Sequence, residues 1–600
     1  MKCKFSQVGY YHRPNPLNPI TERMEVVGID TEADETGQPF MFALSIGDGE
    51  AYQMCDFLEV VFHRRFRGVR FVFYNMSYDE GHFLRVIPME GLDELRETGR
   101  TYHEGYTYHS IPRKELRITK GKKTVSFYDI AQFYAPLNLD KAGQKYLGEG
   151  KIDIGSKTLT SHDVSTRWAE LAAYCIQDAR LTARLAEGFI DILIKELGIF
   201  PRKLYSCGYI AGLHFARACN IIDINRYWQH HRELVEYACA AYSGGKFEVY
   251  QRGYGYFYLY DINSAYPSEI RNLQDISEAK VIHSPKYHKK ATYGFIKGVL
   301  NIGYNFSTVA VKNGKSTTND YPNGYFTKTI TKAEYEYIIE KGGEVKIIDA
   351  YWLYCPEVYP YREEVDRIYA LKAELKVKGG DDMRYNLVKK LLNSFYGKFM
   401  QITEKHRVNG TPYYEAGYLF NPMYAAVITA NTRIKICKTC DMHPENVVAV
   451  LTDCVITTRA LHTNGLRLDK EMGGWDLQVE GDGVMVGSGV YQIGSLTHFQ
   501  GCKAVDNLIS IINAKPHKTK IEVPQTIVQV WRLSASQHKT TDEINRFVET
   551  HKVLDLHQDK GRIWNGKWKF KGGLVGSTAL GFADPIEAGA CGGLDNGVKV

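Results

Sequence analysis

Carboxylates at the ends of apolar, strand-like runs are the first residues in this sequence whose spacing could do chemistry. In "MEVVGIDTEADE", Asp30 and Glu32 stand two apart after a β-branched run. Residues i and i+2 of a strand share a face, so both acids project to one spot. A second run, "VRFVFYNMSYDEGHFL", puts Asn75 and Asp79 at a strand-to-helix junction. In a third, "STRWAELAAYCIQDARLTARLAEGF", apolar residues recur at helical spacing, and Tyr174 and Asp178 form an i, i+4 pair on one helix face. Each acidic pair alone is equally an ordinary turn feature. Together, four acids and a tyrosine in the order strand, strand, helix could surround two divalent metals. Two oxygen-ligated ions about 3.5 to 4 Å apart stabilise both the attacking water and the leaving oxygen of a phosphodiester.

A second set lies further along. "VVAVLTDCVITT", residues 447 to 458, is an apolar stretch interrupted by one carboxylate, Asp453. Burying that carboxylate unpaired costs roughly several kcal/mol, so a partner is expected opposite it. "YFYLYDINSAYPSEI" ends an aromatic strand at Asp261 and then turns into a helix, which makes Asp261 the candidate partner. Between the two acids, "PYREEVDRIYALKAELKVKGGDDMRYNLVKKLLNSFYGKF" reads as two basic amphipathic helices joined at Gly379 and Gly380. Lys372 is seven residues before that turn and Lys389 nine after it, so an antiparallel hairpin sets both ammoniums at similar height. Paired lysines at one level suit a triphosphate, although a solvated lysine-rich hairpin has the same pattern. Lys389, Asn393 and Tyr396 fall on one helix face, leaving Leu387, Leu391 and Phe395 to pack elsewhere.

The elements that must position these residues belong to a chain of 600 residues, large enough for roughly three to five domains. Its 44% hydrophobic and 24% charged residues are those of a soluble globular protein, and a net charge of +6 permits a nucleic-acid partner without demanding one. Its 12 cysteines have no regular spacing, which suits a reducing compartment. The single CxxC, Cys437 to Cys440, reads as two thiols on successive helical turns rather than a zinc site. No apolar run approaches the ~20 residues that span a bilayer, so no membrane partner is expected. The first residues lack the apolar core of a secretory signal.

The acidic strand, strand, helix series resembles the three exonuclease motifs of proofreading nucleases. "DINSAYP" is similar to motif A of the family B DNA polymerases, "KKLLNSFYG" to their motif B, and "YSGG", Tyr242 to Gly245, to the element linking nuclease and polymerase domains in the protein-primed branch. The match runs from about Val26 to Tyr491 in the family's own order. It implies an α/β and α+β multidomain chain: a ribonuclease-H-like exonuclease domain, then a right-hand polymerase of palm, fingers and thumb with inserted subdomains. The expected segments are an N-terminal extension (1–24), the nuclease (25–200), palm (201–280 and 421–495), an inserted subdomain (281–355), fingers (356–400), a short second hairpin (401–420), and thumb with tail (496–600). That hairpin is shorter than the family's, which implies weaker strand displacement.

Residue by residue, the resemblance implies that Asp30, Glu32, Asp79 and Asp178 hold one pair of Mg²⁺ or Mn²⁺ ions, with Tyr174 orienting water. Asn75 and Tyr78 would hold the single-stranded 3′ end, and Lys151 would join this site. Asp261 and Asp453 would hold a second pair. Lys372 and Lys389 would grip the triphosphate, Tyr266 would exclude a 2′-hydroxyl, and Tyr396 with Asn393 would face the nucleotide. Tyr242, Gly244, Gly245 and Tyr491 would contact DNA. Partners would be primer-template DNA, deoxynucleoside triphosphates and a terminal protein primer. The implied protein is a monomer of phage, viral or plasmid origin, cytoplasmic in its host, or mitochondrial for a eukaryotic linear plasmid.

Three elements depart from the family. Its third polymerase motif, Y-x-D-T-D-S, becomes "AVLTDCV", which allows two registers. Asp453 as first aspartate puts Val455 in place of the second and breaks the metal site. Asp453 as second aspartate keeps the T-D pair, with Leu451 replacing the first acid and Cys454 the serine. The K-x-Y element becomes "GVY", with Gly489 at the lysine position, and "IAQFY" stands where a terminal-protein contact is expected. The glycine-rich end, "GGLVGSTALGFADPIEAGACGGLDNGVKV", reads as a flexible tail. Three functions compete: an active polymerase with proofreading, a nuclease whose polymerase half is an inactive DNA clamp, and a non-catalytic DNA binder.

Overall fold

The computed structural model describes residues 8–11, 22–155, 159–219, 229–312, 319–379, 382–406, 411–417, 419–502, 505–558 and 561–587. In the first third, an eight-stranded sheet has at its centre three parallel strands, Val26–Ala33, Arg70–Phe73 and Lys123–Asp129. The helix Trp168–Leu197 crosses this sheet and stops at Gly198, whose φ of +62° makes a left-handed cap closed by its N–H to the Ile194 carbonyl. The helix backbone comes so near the Val26–Ala33 strand that a Cβ on Gly28 would stand 1.9 Å from the Ala179 carbonyl oxygen. Only glycine permits that approach. It carries Asp178, the residue before Ala179, towards Asp30 two residues along the strand.

A nine-stranded sheet forms the centre of the second half. The strand Gln251–Ile262 lies between the hairpin Val447–Thr452/Cys454–Thr457 and the strand Trp475–Gly487, antiparallel to both. Alternation sends Leu259, Cys454 and Ile456 to one face and Tyr260, Val450 and Val455 to the other, each with its own core. The helix Pro422–Cys440, which starts at Pro422 with Asn421 as its cap, lies almost entirely buried. Cys437 and Cys440 are free, buried thiols near its end.

Residues 280–354 build a separate antiparallel sheet with the helix Lys332–Glu340. One expectation changes here. Gly324, at φ +96° in the strand Asn323–Thr331, makes room for a strand from the last described residues; a Cβ there would meet the Phe582 carbonyl oxygen at 2.0 Å. That partner is Gly581–Glu587, in the segment expected to be a flexible tail. Val575–Ala579 pairs with Gln251–Ile262 and Gly581–Glu587 with Asn323–Thr331, so the backbone of this glycine-rich stretch is held by strand pairing; residues 588–600 lie outside the described residues. Similarly, Val8–Tyr11 adds a parallel strand to the hairpin Ile402–His406/Pro412–Ala416.

One buried ion pair ties these parts together. Arg433, 1% exposed, donates to Glu334 Oε1 at 2.7 Å and to the carbonyls of Ser243, Gly244 and Thr308 at 2.7, 2.8 and 2.9 Å. Removing one partner of such a pair leaves an uncompensated buried charge. Glu334→Ala is therefore expected to destabilise the protein by about 3–5 kcal/mol, read as a lowered midpoint of denaturant unfolding.

Candidate active sites

Asp30 and Glu32 project from one face of the Val26–Ala33 strand, and their carboxylates lie with the Cys175 thiol in a group whose ligand atoms are all within 4.8 Å of one another. Cys175 Sγ is 3.8 Å from Asp30 Oδ2. Asp178 comes from the next turn of the helix that bears Cys175, and Asp79 from the helix Met76–Leu84. Thr31, on the strand between the two acids, donates to Asp79 Oδ1 at 2.5 Å, and its hydroxyl is 2.7 Å from His82 Nδ1.

Four acids this close oppose one another's ionisation. Burial, then Asp178, Asp79 and Glu32, hold the Asp30 carboxyl well above the usual range. Burial, with Asp178 adding to it, pushes Glu32 up to about 8, and burial pushes Asp79 up to about 7. Burial also raises Asp178, against the pull of Lys151. Lys151 Nζ lies 2.5 Å from Asp178 Oδ2 and 4.8 Å from the centre of the Tyr174 ring. Asp178 Oδ1 is buried without a hydrogen-bond partner among the described residues. Carboxylates with an unsatisfied buried oxygen fit hard divalent cations, beside a Cys175 thiol whose hold on its proton burial strengthens.

Asn75 is exposed at the start of the Asp79 helix with φ +74°, and its amide donates to Asp129 Oδ1 at 3.0 Å. Asp129 ends the neighbouring strand and also accepts from the Ala131 amide at 2.9 Å. Tyr78 stacks edge-on to His82 with ring centres 4.8 Å apart. Thr31, His82, Cys175 and Asp129 were not singled out from sequence; Asp129 alone had a signal, being the last acid of a strand-like run that ends "SFYD".

At the second site the Ile262 amide donates to the Asp453 carbonyl at 3.0 Å, and Asp261 is in register with Cys454, so both acids stand at one end of the central sheet. Asp453 follows a three-residue turn. Its N–H bonds the Leu451 carbonyl at 2.9 Å around Thr452, a β-branched residue at φ +62°. That form of turn is rare and strained. Leu451 pairs with Cys454 on the face of Asp261, whereas Val455 packs on the opposite face. A third carboxylate, Asp476, lies directly across from Asp261 on the next strand. Burial, Asp453 and Asp476 raise Asp261 to about 7, while Lys389 pulls it down. Asp453 is raised by burial. Sequence reading had no means of finding Asp476, because register with Asp261 is a tertiary fact.

Around this end, Lys372 Nζ donates to Ser264 Oγ at 3.0 Å, and burial with Lys389 and Lys376 nearby lowers it to about 8. Lys389 and Asn393 are exposed on the helix Met383–Ser394. The helix ends before Tyr396, which sits in a 3₁₀ turn, so the face expected to run through all three residues is broken at its last member. Tyr396 stacks on Tyr266 with centres 4.3 Å apart, and its hydroxyl is 2.9 Å from that of Tyr242. A Cβ on Gly245 would stand 2.6 Å from Thr452 Cγ2 and 2.9 Å from the Tyr266 hydroxyl, while Gly244 is held through its carbonyl by Arg433. Tyr491 packs beside His498, and the side-chain space at Gly489 is filled by Gln500, whose Oε1 a Cβ would meet at 2.5 Å.

Comparison with solved structures gives the same architecture. Phi29 DNA polymerase complexed with primer-template DNA and incoming nucleotide substrates superposes with a TM-score of 0.64 at 14% identity, covering 89% of this chain and 100% of that one. An orthorhombic crystal form of Phi29 DNA polymerase gives 0.62 at 14% identity, covering 84% and 97%. The fold is accordingly an exonuclease domain followed by a right-hand polymerase of palm, fingers and thumb. No curated protein matches the sequence significantly. The profile of "DNA polymerase type B, organellar and viral" matches residues 95–412, more than half of the sequence. The chain belongs to that family and is a DNA-directed DNA polymerase.

Proposed function

We propose that the chain extends primers at Asp261 and Asp453 and removes misincorporated 3′ ends at Asp30, Glu32, Asp79 and Asp178, replicating a phage, viral or plasmid genome. The observation that carries the first half is the Ile262 to Asp453 hydrogen bond, which sets two carboxylates beside one another at the end of the sheet that Lys372 and Tyr266 also face. The inactive-clamp alternative needs the register in which Val455 replaces an acid. Its second acid position would then turn to the opposite face from Asp261, which favours Asp453 as the retained ligand.

Two Mg²⁺ or Mn²⁺ ions, when bound at each carboxylate group, supply charge neutralisation for an in-line displacement at phosphorus. In the polymerase site Asp261 and Asp453 would hold them, with Asp476 adding negative potential. Lys372 and Lys389 bind the triphosphate, whose charge offsets the burial that lowers Lys372. Tyr266, braced by the Tyr396 stack and the Tyr242 hydroxyl, forms a wall under the sugar with no room for a 2′-oxygen. Asn393, Tyr242, Gly244, Gly245 and Tyr491 line the path of nucleotide and primer. In the nuclease site Lys151 steadies Asp178, Tyr174 orients the attacking water, and Asn75 and Tyr78 hold the frayed end.

The partners are primer-template DNA and deoxynucleoside triphosphates. A terminal protein as primer is supported by the Tyr242 to Gly245 element and the inserted segment 281–355. The protein acts as a monomer, in the host cytoplasm or, for a eukaryotic plasmid, in mitochondria; no helix among the described residues is long and apolar enough to cross a membrane.

Primer extension and single-strand degradation separate the two halves. Asp453→Asn is expected to lower extension by about a thousandfold or more with degradation retained, because it removes a ligand used in the transition state. Extension unaffected by that change, or absent from the unaltered protein, would sink the polymerase assignment. Asp30→Ala with Glu32→Ala should abolish degradation while extension persists. Tyr266→Val should raise ribonucleotide incorporation by about ten- to a hundredfold in a competition assay, the size expected when a steric exclusion is relieved.

A further inference from the structure

The long hairpin Lys520–Val528/Phe547–Asp555 sends its tip, residues 529–546, into the nuclease half. There Trp531 is fully buried in one core with Phe83 and Leu84, and its indole N–H donates to the buried Glu80 carboxylate at 2.7 Å. Arg85 donates to the Ile544 carbonyl at 2.6 Å and the Asp542 carbonyl at 3.2 Å. Asn545, also fully buried, donates its amide to the Tyr78 carbonyl at 2.7 Å. A Cβ on Gly81 would stand 2.7 Å from Asn545 Oδ1, so helix and tip are in direct contact.

All these contacts fall on the helix Met76–Leu84 or on Arg85, immediately after it. From the other side, Thr31 holds Asp79 and His82. The helix is therefore clamped between the strand that bears Asp30 and a segment more than four hundred residues further along the chain. Packing alone would be met by apolar side chains. The tip instead keeps Asn545 at φ +65°, a left-handed conformation that costs free energy, with one end of its amide on the Tyr78 carbonyl and Oδ1 lacking a partner among the described residues. The tip is itself fixed by reciprocal bonds, Asn545 N–H to the Gln529 carbonyl at 2.8 Å and Gln529 N–H to the Arg546 carbonyl at 2.9 Å.

We infer that Asn545 and Trp531 are positioning residues of the nuclease site, setting the rotation and height of the helix that presents Tyr78 and Asp79. This rests on the nuclease reading above. Two substitutions isolate the bonds: Asn545→Gly deletes the amide and suits the left-handed backbone, and Trp531→Phe keeps an aromatic ring while deleting the indole N–H. Degradation of a single-stranded 3′ end is measured as separate kcat and KM, beside extension of a matched primer and amide hydrogen exchange. The expected result is a kcat for degradation lower by about ten- to a hundredfold, the cost of a small misplacement of catalytic groups, with faster exchange confined to residues 76–84 and extension unchanged. Unchanged exchange and degradation in both variants would overturn the inference. If Asp30→Ala with Glu32→Ala fails to abolish degradation, the nuclease reading fails instead, and the exchange measurement still decides whether the tip holds the helix.

Discussion

Repulsion between buried carboxylates is the constraint on which both sites depend. Burial first, then Asp178, Asp79 and Glu32, raise the proton affinity of Asp30, as burial, Asp453 and Asp476 do for Asp261. An acid free to move would swing into solvent and relieve the strain. These do not: Asp178 is carried by a helix backbone resting on Gly28, Asp79 is held by a hydrogen bond from the Thr31 hydroxyl, and Asp453 ends a turn that holds Thr452 at φ +62°. On the proposed two-metal reading, bound cations would offset these unfavourable electrostatics, whose cost the scaffold's stability supports.

The two sites use different solutions. Asp30, Glu32, Asp79 and Asp178 come from three elements and are internally tempered by a cation of the chain, Lys151, 2.5 Å from Asp178. Asp261, Asp453 and Asp476 come from neighbouring parts of one sheet, and Lys372 and Lys389 stand on helices outside it. Lys372 there is itself lowered to about 8 by burial and by Lys389, so acids and lysines each await a charge of opposite sign. On the proposed reading, a nucleoside triphosphate with bound divalent cations would supply both at once, whereas the Asp30 group has Lys151 within the chain.

Much of this was legible in sequence where the periodicity is local. The run around Asp178 reads as a helix because its apolar residues repeat at helical spacing, and the helix Trp168–Leu197 covers most of that run and continues past it. Asp30 and Glu32 share a face simply because strands alternate. What escaped is tertiary. Asp476 joins the polymerase acids through strand register, Asp129 orders Asn75 from a neighbouring strand, and Gln500 occupies the space left by Gly489. Composition misled at the carboxyl end: its glycines read as flexibility, whereas the stretch pairs as a strand where Gly324, across from Phe582, lets two backbones come close.

The same distinction bears on the single carboxylate in "VVAVLTDCVITT". By spacing alone, an acid is missing at Leu451 or at Val455, and the two readings differ in whether the site works. Strand geometry favours the proposed reading, because the side chains of Cys454 and Val455 leave the sheet on opposite faces. Leu451 and Cys454 line the face of Asp261, with Asp453 at the turn between them. An acid at Leu451 would have added a further negative charge to a face where Asp476 already opposes Asp261. With three carboxylates gathered at that end, a leucine in place of a fourth lowers the repulsion the fold must hold. The departure from the family's pattern is thus the electrostatically cheaper arrangement, and Asp476 is the acid whose register makes it so.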